Sequence, residues 1–247
     1  MNTGKTLGRI VGTLMFLHLA LGLIVPFALL QRLKAPPGFL LTASGMPNRV
    51  RGAVMLLFLG SAFAIAIACA ALRIFRQYSS TLAYSLMALA VTSFSLQAVD
   101  NAHLMSMLSL SQEYAVAGAE KAEVFQALAT MAGAARKWSH YSFLLVVVTW
   151  IFLLCSVLYR FRLVPRVLAA FGMIACVLQI AGVTLRGFWG LPPDMRLAMP
   201  MGPAYGGLAV WLMVKGFYEG HRPVDTKEYG VGAAVGAIGA SAPGSSS

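Results

Sequence analysis

Charged residues are scarce in this sequence. They make up 11% of its 247 residues, whereas a soluble domain carries about 25% because its surface must face water. Hydrophobic residues make up 59%, and the mean hydropathy is +0.76. These values exclude an ordinary soluble globular protein. Most of the surface is therefore expected to face the hydrocarbon of a lipid bilayer.

Acidic residues are scarcer still, since eight Asp and Glu stand against 19 Lys and Arg and leave a formal net charge of +11. Nucleic-acid binding would need the basic residues gathered on one soluble face. Here they stand singly and in pairs at the ends of apolar runs, as Arg73 and Arg76 do. This placement is typical of helix anchors at an anionic membrane surface. We therefore predict membrane lipid as a partner, and no nucleic acid.

Cysteine is also rare. Cys69, Cys155 and Cys176 each lie inside an apolar run, and their number is odd. No spacing between them suits a metal site, so small apolar core residues are the simplest interpretation. An HExxH-type motif and the several carboxylates of a di-iron box are also lacking. We predict no metal and no cofactor.

Long apolar runs are abundant by contrast. Six of them approach the roughly 20 residues needed to cross about 30 Å of hydrocarbon. The sixth is shorter and contains Lys215, and the first lacks a small-residue cleavage site at the usual distance and is interpreted as an uncleaved helix. The predicted fold class is an all-α integral membrane bundle of about six transmembrane helices. The runs are Ile10–Leu30, Gly52–Ile74, Thr81–Leu104, Tyr141–Tyr159, Val167–Phe188 and Pro203–Tyr218.

The chain divides into a membrane domain and a tail. Residues 1–221 hold the six runs, whereas residues 222–247 end in a Gly-, Ala- and Ser-rich stretch that has no charge after Gly230. Such a composition buries too little apolar surface to fold alone, which predicts a disordered tail. Short basic connections at Arg73–Arg76 and Arg160–Arg166 predict a multi-pass membrane protein with both termini in the cytoplasm.

One connection is long, from about residue 105 to residue 137. Ser109 and Gln112 have the spacing of a capping box. Apolar residues then recur at i, i+4 and i+7, at Val124, Leu128 and Met131. The pattern predicts one or two amphipathic helices at the outer membrane surface. The segment ends in a group typical of an interfacial anchor, Arg136, Lys137 and Trp138.

Five polar side chains fall at the outer level of the predicted bundle. Gln97, Asp100 and His103 follow at three-residue steps and share a helix face about 120° wide. His140 begins the fourth run, and Arg186 ends the fifth. Ionisable groups in lipid need partners, so we predict that these five form a ligand-binding cluster in which Arg186 pairs with Asp100. The alternative is purely structural, because side chains near helix ends reach water at little cost.

His18 needs a different explanation, because it lies about nine residues into the first run, away from both helix ends. The simpler interpretation is a hydrogen bond to a backbone carbonyl of a neighbouring helix. The alternative is a pocket or relay residue. Pro26 is expected to kink the same helix and to free the carbonyl of Gly22.

Two segments resemble a bacterial family of small polytopic membrane proteins, catalogued as domain of unknown function 4386. Leu158–Leu168, with the sequence LYRFRLVPRVL, is similar to the family's LYRSGFLPRILG-like connection, although Phe161 and Arg162 replace its Ser-Gly. Gly8–Leu14, with the sequence GRIVGTL, is similar to the family's RIAGL start. The resemblance covers about residues 5–215 and implies a histidine at the position of His140. It implies the fold and a location in the bacterial inner membrane, and it implies no activity.

Two functions of different classes follow from these patterns. The leading hypothesis is a non-enzymatic protein that binds a lipid-like or small anionic ligand, a lipophilic small molecule or a membrane protein partner through the outer cluster. The alternative is a membrane-embedded enzyme acting on a lipophilic substrate, with His103 or His140 as general base and Asp100 orienting it. An ion or proton pathway ranks last, because His18 and Gln179 alone provide polar groups at the other depths.

Overall fold

The computed structural model describes residues 3–34, 38–117, 121–190 and 195–218. Within these ranges the chain is helical apart from short turns, and it contains no β-strand there. The all-α prediction is therefore confirmed. The predicted tail, residues 222–247, lies outside the described residues.

The helices follow the apolar runs and extend beyond most of them. Two short helices, α2 (Gln31–Lys34) and α3 (Phe39–Thr42), occupy the first connection. The six longer helices are α1 (Thr3–Ile24), α4 (Pro47–Tyr78), α5 (Ser80–Ala117), α6 (Ala122–Arg160), α7 (Arg166–Phe188) and α8 (Met201–Lys215).

Five of these helices are long and apolar enough to cross a membrane: α1 with the turn that follows it, α4, α5, α6 and α7. The sixth, α8, has 15 residues, which gives about 22 Å at 1.5 Å per residue. That is shorter than the hydrocarbon thickness of about 30 Å. The protein is thus a multi-pass membrane bundle of about six helices, and its last helix is the shortest, as predicted.

The six longer helices pack side by side as a ring. The main contacts run from α1 to α4, then to α5, α6, α7 and α8, and α8 returns to α1. Trp150, Leu154 and Leu208 are fully buried inside this ring. We call the end that holds the start of α1 and the end of α8 the termini end. The opposite end, where α5 passes to α6, is the hairpin end.

At the termini end, α1 and α8 meet backbone to backbone. A Cβ on Gly12 would lie 2.5 Å from the backbone nitrogen of Met213, and one on Gly8 would collide with the chain just after α8. Gly216 ends α8 with a φ of 72° and lies against the backbone of Lys5. Small residues four apart permit such close helix approach in lipid. Glycine therefore sets the distance between these two helices.

At the hairpin end, α5 and α6 continue past the hydrocarbon. They contain 38 and 39 residues, which is about 57 Å each. In this extension Tyr114 packs edge to face on Phe125, with ring centroids 5.6 Å apart. The predicted helical character of the long connection is confirmed. Its helices are continuations of the third and fourth spans, and their exposed apolar residues include Val124, Leu128 and Met131.

Pro26 marks a change of helix form at the end of α1. Val25–Leu29 make a π-helical turn, in which the N–H of Leu30 donates to the carbonyl of Val25 at 3.0 Å. Proline has no N–H, so it cannot donate to the carbonyl of Gly22 as an α-helical residue would. Turns of this kind are frequent at functional sites, and Gly22 and Pro26 both border an internal cavity.

Candidate functional site

A partly open cavity of about 580 Å³ lies inside the ring, in the half nearer the hairpin end. It is bounded by α1 and its π-helical turn, by α4 to α7 and by residues 198–205. Its walls are mainly Leu, Val, Ile, Phe and Met side chains, with a few polar groups. Ligand pockets commonly have this size and this mixture. The cavity therefore has the properties of a binding site.

The cavity lies beside the segment that precedes the short helix α8. Because α8 begins at Met201, a 3-10 turn at Met195–Leu197 and an irregular bend take the place of a helix next to α1 and α7. Leu197 lies against Gly182 of α7, and Met199 borders the cavity. Non-helical backbone at membrane depth is tolerated where it is buried in protein or lines a cavity. This segment meets that condition.

Asp100 is the centre of a polar cluster in the cavity wall. Its side chain is 1% exposed. Oδ2 lies 3.3 Å from Nδ1 of His140 and accepts from Nε2 of Gln97 at 3.4 Å. Oδ1 accepts from the hydroxyl of Ser139 at 3.4 Å and lies 3.7 Å from Nε of Arg136. A carboxylate removed from water needs such partners. We call these five residues the Asp100 cluster.

The continuous α5 and α6 helices position this cluster. Arg136 and His140 are one turn apart on the same face of α6, where residues four apart are neighbours. On α5, Gln97 donates from Nε2 to Oδ1 of Asn101 at 3.0 Å. Asn101 in turn donates to the carbonyl of Val54 on α4 at 3.4 Å. The cluster is thus connected through side chains to three helices of the ring.

Arg136 and His140 are the members of the Asp100 cluster best placed to contact a ligand. Both line the cavity. Arg136 is 15% exposed, and its buried Nε has no hydrogen-bond partner within the described ranges. His140 is 42% exposed and uses Nδ1 toward Asp100, which leaves its second ring nitrogen for another contact. Asp100 is surrounded by partners, so its role is to hold these two side chains in place.

The structure brings together three of the five predicted site residues. Gln97, Asp100 and His140 border the cavity. His103 is half-buried, Arg186 is exposed, and neither is part of the cavity wall. Asp100 forms its ion pair with Arg136 rather than with Arg186. The signal that identifies Arg136 is its four-residue spacing from His140.

A second polar group lies deeper in the cavity, toward the termini end. Nδ1 of His18 and the hydroxyl of Tyr205 are 3.1 Å apart, and the His18 ring packs edge-on against Trp150 with centroids 6.0 Å apart. The partner of His18 is thus a side-chain hydroxyl rather than the predicted backbone carbonyl. His18, Tyr205 and Gln179 all line the cavity.

The cysteines are free thiols: Cys155 and Cys176 are buried and Cys69 is exposed. Cys155 and Cys176 lie within hydrogen-bond distance of each other, between α6 and α7. Among the residues that the structure describes, no group of three or more His, Cys, Asp or Glu side chains could hold a metal ion.

Three comparisons with known proteins bear on this chain. No curated protein and no solved structure matches it. The sequence does match the family described as "Domain of unknown function (DUF4386)" over residues 10–216. The matched range runs from within α1 to the end of α8 and includes the whole Asp100 cluster.

Proposed function

The chain belongs to the DUF4386 family, whose description names no activity, and from its internal cavity we propose that the protein binds a single-chain, lipid-like molecule with an oxygen-bearing polar head. In this proposal the head contacts Arg136 and His140, and the chain lies along the apolar walls. The observation that carries the proposal is the combination of a cavity of about 580 Å³ with a charged, hydrogen-bonded group in an otherwise apolar wall.

The dimensions of the cavity support one hydrocarbon chain. Its wall on α6 extends from Arg136 to Ile151, a rise of about 22 Å. An extended hydrocarbon chain advances about 1.25 Å per carbon, so a chain of about eighteen carbons matches this length. A single-chain amphiphile of that size therefore fits along the wall.

The available donors support a head group that accepts hydrogen bonds. Arg136 carries a planar guanidinium that suits carboxylate or phosphate oxygens. His140 adds a ring nitrogen on the same face of α6. Asp100 offsets the charge of Arg136, so the cluster does not demand a multiply charged ligand. A carboxylate head meets these conditions.

The most exposed residues of the cavity wall support entry from the lipid. Leu23, Phe27 and Met199 are 48%, 56% and 70% exposed and border the cavity where α1 faces the chain before α8. All three are apolar, so an opening at this place would admit a lipophilic molecule. With both termini in the cytoplasm, this opening faces the outer leaflet of a bacterial inner membrane.

Binding of radiolabelled stearic acid to the full-length protein in detergent tests the proposal. We expect saturable binding, and a roughly tenfold weaker affinity in Arg136→Gln, because a charge-assisted hydrogen bond is lost. Arg186→Gln is the matched control, since Arg186 lies outside the cavity wall, and it should bind like the unchanged protein. Absence of saturable binding, or equal losses in both variants, would refute the proposal.

The His140–Asp100 pair favours a second candidate function, acid–base catalysis on the bound head group. A carboxylate that orients an imidazole through one ring nitrogen prepares the other nitrogen to accept a proton. We expect such an enzyme to hydrolyse a long-chain ester, and to lose this activity in His140→Gln while His103→Gln retains it. If turnover is absent or is equal in both variants, the binding function stands alone.

A further inference from the structure

Gln179 carries an acceptor for which the described part of the protein provides no donor. Its Oε1 is buried and lacks a hydrogen-bond partner in the described part of the chain, although the residue lines the cavity. A buried polar atom without a partner is unfavourable, and most such atoms in proteins are satisfied. His18 and Tyr205 border the same cavity and bond to each other. Each keeps further capacity for hydrogen bonds.

These three residues lie at nearly the same depth. Gly172 lies against Cys155, and Gly187 lies against Tyr141, on the antiparallel helices α7 and α6. This register puts Gln179 level with Val148 of α6. His18 packs on Trp150, which is half a turn further along the same helix. Gln179, His18 and Tyr205 thus line the cavity at about the same depth.

This level is well separated from the Asp100 cluster. His140 marks the cluster on α6, and Val148 and Trp150 mark the deeper level. The helical rise between them is about 12 to 15 Å. The cavity wall between the two levels is apolar along α6, where Phe143, Leu144 and Val147 contribute to it. The cavity therefore has two polar levels with an apolar section between them.

We propose that Gln179, His18 and Tyr205 form a second binding subsite, which accepts a hydroxyl group carried part-way along the chain of the ligand. The inference rests on the proposed function, because it assumes that the head lies at Arg136 and His140. Rotation of the Gln179 side chain brings Oε1 to the cavity, where the ligand hydroxyl donates to it and exchanges hydrogen bonds with the His18–Tyr205 pair. The ligand class is thus a long-chain amphiphile with a mid-chain hydroxyl.

The distance between the levels sets the position of this hydroxyl. An extended hydrocarbon chain advances about 1.25 Å per carbon, given C–C bonds near 1.5 Å. A span of about 12 to 15 Å therefore corresponds to about ten to twelve carbons. The carboxyl and hydroxyl groups of 12-hydroxystearic acid have this separation, and stearic acid is the same molecule without the hydroxyl.

The test compares the affinities of these two fatty acids for the full-length protein in detergent. We expect 12-hydroxystearic acid to bind roughly tenfold more tightly than stearic acid, as one additional hydrogen bond to a buried acceptor would give. Gln179→Leu should bind stearic acid normally and lose the preference. Gln126→Leu, at an exposed position of α6, is the matched control and should keep the preference.

The outcomes separate this inference from the function on which it rests. If both acids bind equally in the unchanged protein, the second subsite is refuted while ligand binding stands. If the preference persists in Gln179→Leu, the assignment to Gln179 is overturned. If neither acid binds, the proposed function fails and the subsite fails with it. A thermal unfolding measurement on each variant confirms that the compared proteins are folded.

Discussion

The two ends of the helical ring are built in opposite ways. At the termini end, α1 and α8 approach so closely that Gly8 and Gly12 leave no space for a side chain. Gly22 lies nearly three turns beyond Gly12 on the same helix. No neighbouring atom lies within 4 Å of the position that a Cβ on Gly22 would take. Gly22 instead borders the cavity. Helix α1 therefore packs closely on α8 at the termini end and borders the cavity toward the hairpin end.

The length of α8 explains this difference. Where α8 is present, two glycine-rich backbones pack directly on each other, as small residues permit in lipid. Where α8 has not yet begun, the neighbouring helices have no sixth partner, and the cavity lies between them. The comparison indicates that shortening one helix of a bundle can leave a cavity while the other contacts are retained. Four variants test it.

The largest effect on stability is expected at the termini end. Gly12→Ala places a methyl group 2.5 Å from the backbone nitrogen of Met213, and overpacking against backbone is expected to lower the free energy of unfolding by about 3 kcal/mol. Gly22→Ala is the matched control, and it should leave stability unchanged or raise it, since alanine favours helix. Thermal unfolding in detergent measures both. Equal unfolding midpoints for the two variants would refute the difference in packing between the two ends.

The next largest effect is expected in the Asp100 cluster. Asp100→Asn removes the partner charge of Arg136, which is mostly buried, and should lower stability by about 2 kcal/mol. Glu113→Gln, which removes an exposed carboxylate from the same helix, should change stability by less than about 0.5 kcal/mol. Denaturation of the purified variants measures this difference. An Asp100→Asn protein as stable as Glu113→Gln would show that the cluster does not contribute to folding.

A smaller effect is expected at the boundary between the two ends. His18→Phe keeps an aromatic ring against Trp150 but removes the hydrogen bond to Tyr205. The expected loss is about 1 kcal/mol, the usual contribution of one such bond. His103→Phe, outside the cavity wall, is the control. If His18→Phe lowered the free energy of unfolding as much as Gly12→Ala, His18 would belong to the closely packed termini end instead.

The smallest effect on stability is expected inside the cavity. Leu144→Trp adds volume to the wall, and because the space is empty of protein atoms the stability should change by less than about 1 kcal/mol. The same variant should abolish binding of stearic acid. Ala209→Leu adds volume at a fully buried position of α8 and should instead destabilise by about 1 to 3 kcal/mol.

The sequence predicts the helices well because each of them needs about 20 apolar residues to cross the bilayer. Residue position along a span gives depth, so Gln97, Asp100 and His140 could be placed at one level. Depth does not give rotation about the helix axis, and for that reason Arg186 was expected beside Asp100 although it faces outward. The rotation of α7 depends on packing between helices, which apolar periodicity does not encode when both lipid and protein are apolar.

The place of Arg136 in the Asp100 cluster is not evident from the sequence for a related reason. Its sequence context is typical of an interfacial anchor, because the preceding segment has the pattern of a separate surface helix. In the structure α6 is continuous from Ala122 to Arg160, which puts Arg136 one turn from His140 and on the same face. By contrast, the four-residue spacing of Gly8 and Gly12 is visible in the sequence and indicates close helix packing.

The contact between α1 and α8 also determines the order in which the bundle is completed. Among the described helices, α1 is made first and α8 last, and their contacts join residues as far apart as Gly8 and Phe217. During synthesis α1 must wait in the translocon or the bilayer with its glycine face unpartnered. The ring therefore cannot close until α8 has been synthesised, and a nascent chain that stalls before α8 lacks the contact that joins α1 to the last helix.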